Sequence, residues 1–135
     1  MKKMTNKADE LSAKLSARYG LAALNCKDWG ELELFGGLGM DATTFNAIAN
    51  AAIMRGDTGV TIYELESIKI EFPPVSIYLN FYSFNHLKGD IISHFEVAAL
   101  PPSKTWAALF TNELKTFVYG PVAFLSDVAS NIPNL

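Results

Sequence analysis

The chain is poor in the side chains that carry covalent or metal chemistry. Of its 135 residues, one is cysteine and two are histidine. A lone thiol, Cys26, excludes an internal disulfide and with it a small stapled secreted domain. Lys27 beside it would favour a thiolate, yet no histidine is close in sequence, and a small buried side chain is the commoner role. No Gly-x-Ser-x-Gly, His-Glu-x-x-His or Walker sequence occurs. Gly36-Gly37-Leu38-Gly39 lacks the Lys-Ser/Thr ending of a phosphate loop and reads as a turn. Arg55-Gly56-Asp57 resembles an adhesion tripeptide but falls at a predicted helix end, which makes it a coincidence of composition. Glu64 and Glu66 are the nearest carboxylate pair, in an acidic segment expected to be solvated.

Charge is scarce as well. Charged residues make up 19% of the chain, against about 25% in ordinary domains. Eleven Lys and Arg face fourteen Asp and Glu, so the net charge is −3. That balance argues against nucleic acid held mainly through its phosphates. Apolar runs stay short of the roughly eighteen residues that a membrane-spanning helix needs. The basic start, Met1-Lys2-Lys3, lacks the apolar stretch of a signal peptide. The expectation is a cytoplasmic protein without a membrane or nucleic-acid partner.

Half the residues are hydrophobic and the mean hydropathy is +0.16, which excludes an intrinsically disordered chain. The length suits one domain over residues 1–135. Charge is blocked along it: residues 1–27 carry a net +4 and residues 28–41 a net −4.

Apolar spacing predicts a helix over 5–19, with Ala8, Leu11, Leu15 and Tyr19 on one face and Gly20 as its stop. Residues 28–35 suit either a short helix capped at Asp28 or an alternating strand, Glu31 to Phe35. Asp41 opens a clear helix whose face is Phe45, Ile48, Ala49, Ala52 and Ile53. Strands follow at 60–66 and 67–72, then a long strand from Val75 to His86. A turn at Lys88-Gly89-Asp90 returns it through Ile91 to Ala98. Two C-terminal helices are predicted, one with the stripe Trp106 to Val118 and one after Pro121. The class is α+β, an antiparallel β-meander of about four strands flanked by N-terminal and C-terminal helices.

One stretch stands apart. Phe72 to Leu87 holds no Asp, Glu, Lys or Arg, while five of its sixteen residues are aromatic. Read as a strand, it puts Tyr78, Asn80, Tyr82, Phe84 and His86 on one face, joined from the return strand by Ile92, His94, Glu96 and Ala98. A solvated sheet face normally carries charge. Three arrangements account for this one: a helix of the same chain covers it, a partner protein covers it, or it stacks nucleobases. The last needs flanking cations, and only Lys88 is near. His86, His94 and Glu96 together have the chemistry of a metal ligand set or an acid/base pair, although two ordinary strand histidines are the simpler account. Tyr78, Tyr82, Phe84 and Trp106 would line a small-ligand pocket.

With catalytic motifs missing and no cofactor implied, the composition fits best a small non-enzymatic protein-interaction module. An inhibitor, an immunity-type protein or an assembly factor would meet that description. Its partner would be another protein or a second copy, as in a homodimer, held on Tyr78, Asn80, Tyr82, Phe84, His86, His94 and Glu96. The alternatives are a chaperone for a secreted or assembling protein, and a small enzyme or ligand-binding protein using His86, His94 and Glu96.

Overall fold

A computed structural model describes residues 7–36, 40–66, 73–90, 96–111 and 113–133. Helix α1 spans Lys7–Tyr19, β1 Trp29–Phe35, α2 Ala42–Ile53, β2 Gly59–Glu64 and β3 Val75–Tyr78. Helix α3 covers Phe81–Asp90, followed by β4 Val97–Leu100, β5 Ala107–Phe110, β6 Lys115–Pro121 and α4 Val122–Ser130. The strands form one antiparallel sheet of six in the order β1-β6-β5-β4-β2-β3. The α+β class is as expected, with a larger sheet than the sequence suggested.

Over the central strands both faces of that sheet are covered by the chain itself. Strand β4 shows how: Val97 and Ala99 point to one side, Ala98 and Leu100 to the other, and all four are buried. On the first side α2, α3 and α4 bring Phe45, Ile48, Phe84, Phe124 and Val128 onto Val60, Ile62, Phe110 and Val118. On the second side α1 lays Ala8, Leu11 and Leu15 over Ala107 and Tyr119, with Cys26 and Leu65 beside them. The result is three layers around a central sheet.

Local chemistry explains the helices. Asp41 caps α2 by accepting the Thr44 N–H at 2.8 Å. Gly20, at φ +70°, ends α1, and its N–H donates to the Ser16 carbonyl. Gly120 permits a close approach: a Cβ there would lie 3.0 Å from Phe124 and 3.2 Å from Trp106, whose rings stack at 5.2 Å.

Two segments differ from their sequence reading. Trp106 to Val118 is no helix; it contributes β5, a turn and most of β6. Its residues are apolar on both sides because both sheet faces are buried, so the alternation that marks a strand is lost. Leu114, at φ +63°, makes the turn. The long strand from Val75 ends at Tyr78, and residues 81–90 are helical. Of the predicted return strand, residues 91–95 lie outside the described residues; Val97 and Ala98 belong to β4, which pairs with β2 and β5. The predicted strand at 67–72 and the turn glycines 37–39 lie outside the described residues. Among the described residues no helix is long and apolar enough to cross a membrane.

Candidate functional site

The charge-free stretch divides at Asn80. Before it, β3 is the last strand of the sheet; Val75 and Ile77 pack on the core, while Tyr78 stands out, 74% exposed. At Asn80 the chain turns into α3. The Asn80 side chain accepts the Ser83 N–H at 2.8 Å, and its carbonyl accepts the Phe84 N–H at 3.3 Å. An Asx side chain bonded in this way starts a helix.

Helical spacing then sorts the aromatics. Phe81, Phe84 and Leu87 recur every third residue and face the core. Phe84 is fully buried, stacked on Phe45 at 4.5 Å and tilted against Phe110 at 4.9 Å. Tyr82 and His86, four apart, share the outer face with their rings stacked at 6.4 Å. Tyr82 is 81% exposed. Between β3 and α3 runs a groove of about 310 Å³, lined by Val75, Ile77 and Tyr78 on one wall and Tyr82, His86 and Leu87 on the other.

Of the surface expected from sequence, Tyr78, Tyr82 and His86 are brought together on the groove, and Asn80 sits at the turn that starts α3. Phe84 leaves it, because a helix places residue 84 opposite to where a strand would. His94 lies outside the described residues. Glu96 sits elsewhere: its Oε1 is 3.8 Å from Lys14 Nζ of α1, and its N–H donates to Glu66. It lines a second cavity, of about 290 Å³, between α1 and the sheet, with Glu10, Glu113, Lys7, Lys14 and Tyr119. Burial raises the Glu96 carboxyl; Lys14 opposes that, while Glu66 and Glu113 add to it. Trp106 is buried against Phe124, away from the groove wall that the small-ligand reading required.

Several other chemistry-bearing groups take part in packing or ion pairs. Burial raises the Cys26 thiol, and Asp9 adds to the rise. A thiol shifted upward is a poor nucleophile, the reverse of what Lys27 suggested. Glu64, expected in solvent, is 3% exposed and accepts from Arg18 Nη2 at 3.0 Å. Sequence reading missed this pair; its partners stand 46 residues apart and only the packing of α1 joins them. Arg55 pairs with Asp127 at 2.7 Å, tying the end of α2 to α4. Among the described residues no group of three His, Cys, Asp or Glu is placed to hold a metal ion.

No protein-family model matches the chain, and no curated protein or solved structure matches it.

Proposed function

We propose that this protein is a non-enzymatic interaction module that binds a partner protein on the β3–α3 surface. One observation carries the reading: Tyr78 and Tyr82, the two most exposed tyrosines of the described residues, flank an apolar groove in the part of the chain that has no charge. Large aromatic side chains left in water beside an uncharged groove are the composition of an interface core. Outside this stretch Trp106, Phe110 and Phe124 are buried, and among the described residues Phe35 is the other aromatic left so exposed. An inhibitor, an immunity-type protein, an assembly factor or a chaperone would each use such a surface, in a cytoplasmic setting.

The test is quantitative capture from the native host with the full chain as bait. Tyr78→Glu and Tyr82→Glu together place two charges on the groove rim and touch no core residue. Loss of a partner held by the wild type, with an unchanged melting curve, supports the reading. Capture that the double substitution does not alter would contradict it.

A further inference from the structure

The backbone of β3 narrows what kind of segment the groove takes. Leu79 N–H donates to the Thr58 carbonyl, and the register places Ile77 opposite Val60 and Val75 opposite Ile62. Hydrogen-bonded pairs alternate along an antiparallel ladder. Residues 75, 77 and 79 therefore turn their peptide groups toward β2, while Ser76 and Tyr78 turn theirs outward. The neighbouring ladder agrees: Leu65 donates to Glu96, so Thr61, opposite Leu100, faces β4 and not β3. Among the described residues no strand pairs with the outer edge of β3, and the groove runs along that edge with α3 as its far wall.

Building on the reading of this surface as a protein-binding one, we infer that the groove accepts an extended, uncharged segment of a partner protein as a seventh strand on β3. The edge supplies the Ser76 N–H and carbonyl and the Tyr78 N–H as ladder partners; the Tyr78 carbonyl already accepts the Asn80 N–H. An added strand alternates its side chains, so every second one enters the groove against Ile77, Tyr82 and Leu87. None of the groove's lining residues is Asp, Glu, Lys or Arg. A charged side chain entering it would lose water without gaining an opposite charge, which selects apolar or small polar residues. Pro73 and Pro74 have no N–H to offer, so the ladder ends at Val75. The segment read is thus about four residues long, as edge strands guarded by proline usually are.

Short linear peptides displayed on phage and selected on the full chain supply the probe. Ser76→Pro removes the outward N–H and leaves the backbone ladder to β2 in place, whereas Ser76→Ala keeps that N–H; both lose the Ser76–Thr61 hydroxyl contact of 3.2 Å, so their comparison isolates the N–H. The expected result is a set of charge-poor peptides that Ser76→Pro binds about tenfold more weakly, with Ser76→Ala close to wild type. Should Ser76→Pro unfold, amide exchange in the wild type decides the matter. Bound peptide should slow exchange at Ser76 and Tyr78 and leave Ile77, already in the ladder, unchanged. Failure to select any peptide that protects these two amides overturns the strand-addition inference. So does protection that arises from self-association without peptide, which would make the occupant a second copy. If binding resists Ser76→Pro but is lost on Tyr78→Glu with Tyr82→Glu, the interaction surface stands and only the strand mode fails.

Discussion

The indole N–H of Trp106 donates to Asp57 Oδ2 at 2.9 Å in a site where both residues are buried. Asp57 follows α2 and Trp106 opens β5, so this bond fixes the second helix against the centre of the sheet. Its loss leaves a buried donor with no acceptor, since water does not reach it. Asp57→Ala should cost about 2 kcal/mol of stability, and Asp57→Asn clearly less because the amide oxygen accepts the same proton. Urea unfolding of the three proteins checks this, and an Asp57→Ala midpoint equal to wild type would refute it.

Helix α1 is held to the other face by a second buried pair. Arg18 Nη2 lies 3.0 Å from the Glu64 carboxylate, and the Tyr19 hydroxyl donates to the Glu64 carbonyl. Removing the cation takes a charge partner from a carboxylate that is almost wholly out of water. Arg18→Met should therefore destabilise by about 3 kcal/mol, and adding Glu64→Gln should recover much of the loss. Denaturation of the single and double variants measures the coupling. Additive costs would mean that the two side chains do not depend on each other.

The Glu96 carboxyl gives stability a pH dependence of known sign. Burial raises its folded pKa above the ordinary value of 4.5, with Glu66 and Glu113 acting in the same direction against Lys14. The folded state then holds its proton more tightly than the unfolded chain does. This group's contribution therefore falls as pH rises from 4.5 through the raised folded value. Glu96→Gln should be more stable than wild type at neutral pH, with the gap closing on acidification. Melting temperatures across that range test it; a gap that widens in acid would reverse the assignment.

Legibility followed burial pattern. Helices α1 and α2 show in the sequence because each has one wet face, and Gly20 and Asp41 punctuate them. Strand β2 alternates between buried and half-buried residues and was equally plain. Trp106 to Val118 reads as helix in the sequence because residues such as Ala107, Ala108, Val118 and Tyr119 are buried on both sheet faces. The groove wall reads as strand for a different reason. Aromatic residues favour strands, and this bias hid the threefold spacing of Phe81, Phe84 and Leu87. The signal that could have corrected it was Asn80, a helix cap followed at once by that spacing. The absence of charge does not depend on which element carries it, and it is the sequence feature on which the proposed surface rests.

The central claim is that a partner protein meets the chain at the β3–α3 edge of the sheet. Phe35, 78% exposed on the opposite edge strand β1, is the natural control. A photo-crosslinking side chain placed at Tyr82 or at Phe35 of the full chain, in its native host, tests the claim most directly. A discrete protein adduct from position 82 and none from position 35 is the expected result. An adduct from position 35 with none from position 82 would contradict it.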